Sequence, residues 1–503
     1  MKFKYPMKVK WPLPYPGAHW LDQREDRAVL DVLHRRSLFR YYGMKKPKHV
    51  EALEAKARVF YGVKYALWVN SGTGALFTAI TALGIGPGCE VIVPAFFWVA
   101  TAGAVVNANA IPVLCEVDDS FCMDPEDLAE KITPRTKVIV PVHMAGAPCD
   151  MKAIMAIAKK HGLPVLEDCA QANGGSFRGK TLGTFGALGM FSFQWNKNAT
   201  AGEGGLLVTN DAMLYERCNA AHDLGIPWVN GAPCETGVVT WGAGRRMSEL
   251  TGAVGSVQLT KLPRIIQHMR ASKMRIKRIL KGTPGIMFRR LNDEAGDTGP
   301  FLIFSLASAE RAQAVVKRMQ ANGLTSAVRL ADYGMHIYYN VPQLANKVPL
   351  SPAGNPWSLP QNQALVRDYG KGACPSSDDR FSRSCTSSTT RASHSSSTRS
   401  RLVRATTPRF TWRRSRMARC STVCGITPSS AATTRRARSI PPTPASMFLI
   451  KRSWPGTSTM LTSLPLGRRS HANPRSIVIP RSFSSWRRSG SMPVSALMSV
   501  DLP

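Results

Sequence analysis

Between residues 47 and 262 the apolar positions alternate between two spacings. Val50, Leu53, Ala57 and Phe60 recur at the three-to-four-residue interval of a helix, and residues 66–69 follow as a short apolar run of strand type. Gly72 and Gly74 make a turn, and residues 75–83 read as a helix that Gly84 and Gly86 stop. The cycle repeats at 151–161, a helix with apolar Met151, Ile154, Ile157 and Ala158, ended by Gly162 and Pro164 before a buried strand at Val165 and Leu166. Such alternation predicts an α/β fold, a three-layer α/β/α domain with a mostly parallel sheet, with ligands at the carboxyl ends of the strands. Asn70–Gly74, Asp168 and Lys197 all fall at such ends.

The uncharged stretch 91–115 is long enough to cross a bilayer, but Pro94, Pro112, Asn107 and Asn109 interrupt it. It reads instead as a strand at 91–93, a loop, a short helix at 101–107 and a strand at 113–117, and no membrane association is expected. A basic amphipathic helix at 262–280 leads toward a smaller α/β domain with a strand at 301–306, a helix at 309–322 and less regular sequence to Tyr369. The pattern fades near Ser384. The expected organisation is an N-terminal arm (1–25), a large domain (26–262), an incomplete small domain (263–384) and a basic low-complexity tail (385–503).

Charge changes this picture only in the tail. The chain of 503 residues carries a net charge of +34, yet the tail alone holds about 20 Lys and Arg against one acid, Asp501. Three readings of the tail stay open: a disordered basic arm that binds nucleic acid or anionic surfaces, an extra domain, or the product of a shifted reading frame. The composition argues against the domain. Nucleic acid is not expected as a partner except through this tail. The eleven cysteines are scattered without zinc-ligand spacing, which points to reduced thiols, no structural metal and a cytoplasmic setting. No signal peptide is expected, because no apolar core precedes Pro12 and Pro14.

The candidate chemistry centres on Lys197. It lies between an apolar run (Met190, Phe191, Phe193) and a glycine-rich turn (Gly202, Gly204, Gly205). An amine placed there loses solvent, binds its proton less tightly and becomes a nucleophile toward a carbonyl. The Ser71-Gly72-Thr73-Gly74 turn presents helix N-terminal N–H groups to an anion, although a plain helix cap fits the same residues. A dinucleotide site is a rival reading, but Phe77 stands where the third glycine of its fingerprint belongs, which weighs against it. Asp168 ends an apolar strand, where its carboxylate can pair with a protonated pyridine nitrogen or cap the next segment. Gln171, three residues on, can hydrogen-bond a ring oxygen, Trp98 leaves a strand where it can stack on a planar ring, and Ser192, five residues before Lys197, can donate to a phosphate if the strand bends at the turn. A lysine nucleophile, a phosphate cup and a buried carboxylate together are what pyridoxal 5'-phosphate requires of a protein.

Several stretches carry a resemblance to a known family: SLFRYYG (37–43), NSGTGAL (70–76), VPAFFWVAT (93–101), PVHMAG (141–146), EDCAQANGGSFRGKTLGTFGALGMFSFQWNKNATAGEGG (167–205) and GAGRRMSELTGAVGSVQL (242–259). Residues 17–384 resemble the DegT/DnrJ/EryC1/StrS aminotransferases, sugar aminotransferases of pyridoxal phosphate fold type I. The resemblance implies that Lys197 joins the cofactor aldehyde, Asp168 meets its pyridine nitrogen, Gln171 lies beside its ring oxygen and Trp98 stacks on it. Gly72, Thr73 and Ser192 would then hold its phosphate. It further implies amino transfer from glutamate or glutamine to a keto group of a sugar or cyclitol, in a homodimer with active sites at the subunit interface. Lys197 argues against the family's dehydratase branch, which has histidine there. A non-catalytic, cofactor-binding regulator and an inactive frameshifted product remain the alternatives. Gly244 departs from the pattern: the family usually has asparagine there, two residues before the match to Arg246, reaching the partner's phosphate.

Overall fold

The computed structural model describes residues 13–389 apart from 230, 231 and 234–236, so the readings of the tail beyond 389 lie outside the described residues. In chain order the large domain is built from α1 (Gln23–Arg35), α2 (His49–Tyr61), β1 (Tyr65–Val69), α3 (Gly72–Ala82), β2 (Glu90–Pro94), α4 (Val99–Asn107), β3 (Ile111–Cys115), α5 (Pro125–Lys131), β4 (Thr136–Ile139), α6 (Met151–Lys160), β5 (Leu166–Asp168), β6 (Leu188–Ser192), β7 (Gly205–Thr209) and α7 (Ala212–His222). Side-chain caps start most of these helices. Asp22 accepts from Arg24 N while Glu25 closes the box back onto it, and Ser71, Asp124, Asp150 and Asp211 each accept from an N–H of the first turn.

β1, β7, β6 and β5 pair in that order, and β3, β2 and β4 pair in parallel. Parallel bridges from Ile139 to Val165 and from Val142 to Asp168 join the two sets into one sheet. β7 runs antiparallel to both β1 and β6, while β5 and β6 are parallel. The sheet is therefore mostly parallel, as the alternating pattern predicts. Side chains of one strand divide between two cores: Leu67 and Val69 join one, Ala66 and Trp68 the other. Residues 91–115 are β2, α4 and β3, and no helix among the described residues is long and apolar enough to cross a membrane.

Several boundaries differ from the sequence pattern: α3 begins at Gly72 rather than 75, α4 at Val99 rather than 101, and β3 covers 111–115 rather than 113–117. The helix expected at 262–280 begins earlier and runs unbroken as α8 (Glu249–Leu280), with Pro263 inside it. Within the added turns Gly252 permits close packing: a Cβ there would stand 2.7 Å from Val50 Cγ2 of α2. Beyond α8 lie β8 (Met287–Phe288), β9 (Phe301–Ser305), α9 (Ala309–Ala321), β10 (Val328–Arg329), α10 (Pro375–Arg383) and β11 (Ser384–Ser388). The four strands form an antiparallel sheet in the order β8, β9, β11, β10. β11 carries ordered backbone across the point where the pattern fades. Residues 385–388, expected to lie in the tail, therefore belong to this sheet; the sequence Ser-Cys-Thr-Ser-Ser is buried yet shows neither apolar alternation nor an apolar run.

Candidate functional site

The carboxyl ends of β1, β5 and β6 bring the site residues to one edge of the sheet. Asp168 closes β5 and pairs with Met190 of β6, and Ser192 closes β6 opposite Gly205. The buried Asp168 carboxylate accepts from Thr101 Oγ1 at 2.9 Å and from Ala170 N at 3.1 Å. Burial pushes its pKa above the ordinary value, against these two hydrogen bonds and the charge of Lys197. Thr101 lies in the first turn of α4, and no pattern in the sequence singles it out.

Glu167, its neighbour on β5, points to the other face. Its carboxylate accepts from Gly183 N (2.8 Å), Phe185 N (2.6 Å) and Gly186 N (2.8 Å). His143 Nδ1 accepts from Cys149 N at 3.1 Å, which leaves Nε2 to donate to Glu167 Oε2 at 3.3 Å. His143, Glu167 and Cys169 converge closely enough to suggest metal ligands, but the carboxylate and both ring nitrogens are already committed to hydrogen bonds. The group is an anchor that fixes the 183–186 turn.

The phosphate cup is a helix start. Ser71 caps α3 by accepting from Gly74 N at 2.9 Å, so its cap role holds. The N–H groups of Gly72 and Thr73 have no partner among the described residues. A Cβ on Gly72 would stand 2.7 Å from Ser192 Cβ and 2.8 Å from its Oγ, so Ser192 faces these N–H groups across a space that a larger residue would fill. The residues present thus fit a phosphate.

Lys197 sits in the turn after β6, half-buried, where desolvation lowers its pKa against the charges of Asp168 and then Glu203. It opens into a cavity of about 390 Å³ that it shares with Gln171, Asn198, Tyr333 and His336. Gln171 Oε1 accepts from Ala145 N at 3.0 Å, which holds that side chain at the cavity wall. Trp98 is half-exposed at the head of α4, with its ring centroid 4.7 Å from that of His336; His336 stacks in turn on Tyr333 at 4.4 Å and 13°. Burial, then Lys197, lowers the His336 pKa to about 4. His336 and Tyr333 were not legible from the sequence, because they lie in a run of short turns without helical or strand period.

Gly244 is exposed, at φ 62°, with nothing within 4 Å of a Cβ added there. The adjoining residues fold back on the same chain: Arg245 O accepts from Asn70 N at 2.9 Å, the Arg245 guanidinium lies 5.1 Å from the Phe77 ring centroid, and Arg246 pairs with Asp223.

A mostly parallel α/β sheet with a desolvated lysine, a buried carboxylate and a helix-start anion cup at its carboxyl edge defines a fold-type I class of protein. The chain matches the model of the DegT/DnrJ/EryC1/StrS aminotransferase family over residues 22–368, and it belongs to that family. It is similar to an L-glutamine:2-deoxy-scyllo-inosose aminotransferase of Streptomyces fradiae, with 38% identity over 280 residues, which are 54% of this chain and 64% of the relative. It is also similar to a UDP-N-acetyl-3-dehydro-alpha-D-glucosamine 3-aminotransferase of Acidithiobacillus ferrooxidans, 49% identical over 176 residues, 35% of this chain and 48% of the relative. The chain thus spans about half to two-thirds of the length of these relatives. Among solved structures it is similar to S. venezuelae DesV in complex with a ketimine intermediate, with a TM-score of 0.62 and 28% identity, covering 76% of this chain and 93% of that one.

Proposed function

We propose that the protein is a pyridoxal phosphate-dependent aminotransferase that moves an amino group from glutamate or glutamine to a keto group of a sugar or cyclitol. The observation that carries this is that Asp168 at the end of β5 and Lys197 in the turn after β6 lie at the same carboxyl edge of the sheet, where burial raises the pKa of the acid and lowers that of the amine while the charge of each opposes the other's shift. When bound, pyridoxal phosphate supplies an exchangeable carbonyl and a ring that accepts an electron pair. The Gly72 and Thr73 N–H groups with Ser192 Oγ would hold its phosphate, Trp98 would cover its ring and Gln171 would lie beside its ring oxygen. Asp168 would stand against the pyridine nitrogen and favour its protonated form. Lys197 would be the amine that holds the cofactor's carbonyl, and its free amine would serve as the proton carrier at the substrate carbon.

The donor and acceptor classes follow the names of the relatives. A homodimer fits the exposed apolar side chains Leu224, Val239 and Trp241 near the Gly244 loop. The eight cysteines found among the described residues are free, which supports a cytoplasmic setting. We also keep the large domain at 26–262 and the small domain after it as a proposal, with α8 spanning the junction.

The test is borohydride reduction in the presence of pyridoxal phosphate, followed by peptide mass spectrometry and by turnover with glutamine and a keto sugar. Lys197 should carry the label, and Lys197→Ala should abolish both label and turnover. A label on another lysine, or turnover by Lys197→Ala, would refute the assignment.

A further inference from the structure

The segment before α1 lies against the turn that carries Lys197. Gly17 N donates to Lys197 O at 3.0 Å. Gly17 is buried, and a Cβ there would stand 2.9 Å from both Ala199 Cα and Thr200 N, so the two main chains touch. The Tyr15 ring centroid is 6.2 Å from that of Trp195, two residues before Lys197. Pro14 and Pro16 form one wall of the Lys197 cavity. The far end of the segment is tied down as well: Lys261 Nζ donates to Trp20 O at 2.6 Å, and Arg264 lies over the Trp20 ring.

We propose that residues 14–17 are a clasp that positions the Lys197 turn and keeps water from its amine, with Gly17 as the positioning residue. The proposal rests on Lys197 being the nucleophile of the reaction above. The charged and titratable groups around the amine are Asp168 and Glu203, with Asp332, Tyr333 and His336 in the cavity wall. None of them belongs to the clasp, so the clasp acts by exclusion of water and by the single main-chain bond, not by charge. Gly17 is the residue that allows this approach, because any side chain would strike the backbone of Ala199 and Thr200.

The test measures how fast trinitrobenzenesulfonate labels Lys197 in the full chain without added cofactor, as a function of pH, read on the Lys197 peptide. In the unaltered protein the midpoint should lie below that of an ordinary lysine. Gly17→Ala opens the clasp, water returns to the amine, and the midpoint rises. A rise of about one unit makes labelling at pH 8 roughly tenfold slower. Tyr15→Ala leaves the Gly17 bond in place and should shift the midpoint the same way by less. If Gly17→Ala melts cooperatively but labels Lys197 at the unaltered rate throughout, the clasp is refuted. If that variant does not fold, Tyr15→Ala decides by the same criterion. An ordinary midpoint in the unaltered protein, with no uptake of pyridoxal phosphate, would overturn the aminotransferase reading as well.

Discussion

Thr101 donates its hydroxyl to Asp168 Oδ2 at 2.9 Å, joining the first turn of α4 to the carboxyl end of β5. This bond favours the ionised carboxylate at a site where burial opposes ionisation. Thr101→Val keeps the volume and removes the donor. The Asp168 pKa should rise further, moving the acidic limb of the kcat–pH profile to higher pH. Loss of a bond to a charged group is worth roughly 1.5–3 kcal/mol, so turnover near neutrality should fall by about tenfold or more. An unchanged acidic limb would remove Thr101 from the account.

Asp168 and Lys197 are coupled in the other direction too. The Asp168 charge holds the lysine proton on, against desolvation. Asp168→Asn removes that charge, so the Lys197 pKa should fall and covalent uptake of pyridoxal phosphate should reach its half-maximum at lower pH. Turnover should nevertheless collapse, because the pyridine nitrogen loses its partner. A titration of borohydride-trapped cofactor against pH, set beside kcat, separates the two effects.

Gly72→Ala tests the cup. The added methyl would stand 2.7 Å from Ser192 Cβ, closer than side-chain contacts allow. Helix propensity favours alanine over glycine by about 1 kcal/mol, which offsets only part of the overpacking against the buried Ser192, so global stability should fall slightly. Affinity for pyridoxal phosphate, followed by fluorescence titration, should drop by about tenfold, an amount equal to roughly 1.4 kcal/mol. Unchanged affinity would place the phosphate elsewhere.

Glu167 serves stability rather than chemistry. Glu167→Ala would leave the N–H groups of Gly183, Phe185 and Gly186 without their acceptor. Each buried unsatisfied group costs about 1–3 kcal/mol, so a melting temperature several degrees lower is expected by calorimetry. Glu167→Gln keeps an acceptor oxygen and should lose less. Equal melting temperatures for Glu167→Ala and the unaltered chain would show that the anchor is dispensable.

The candidate residues were legible because each sits beside a strong local signal. Asp168 ends an apolar strand, Gly72 and Thr73 open a helix, and Lys197 interrupts an apolar run before clustered glycines. Thr101 and His336 gave no such signal. A threonine in a helix's first turn has many ordinary uses, and His336 lies among short 3₁₀ turns where neither periodicity applies. The first turns of α8 carry small residues, Gly252, Ala253 and Gly255, and the close packing of the two glycines on α2 is a property of the folded chain that leaves no strong apolar period in the sequence.

Local order along the chain, with its two periodicities and its turn residues, was enough to establish the parallel α/β architecture and the loops that hold the candidate groups. Their convergence was not a local property. Thr101 reaches Asp168 across 67 residues and Gly17 reaches Lys197 across 180, and such contacts arise when strands from distant parts of the chain pair into one sheet. The same pairing withdraws water from Asp168 and Lys197 together. Their proton affinities, and with them the chemistry, are therefore set by the surrounding fold and not by the residues taken one at a time.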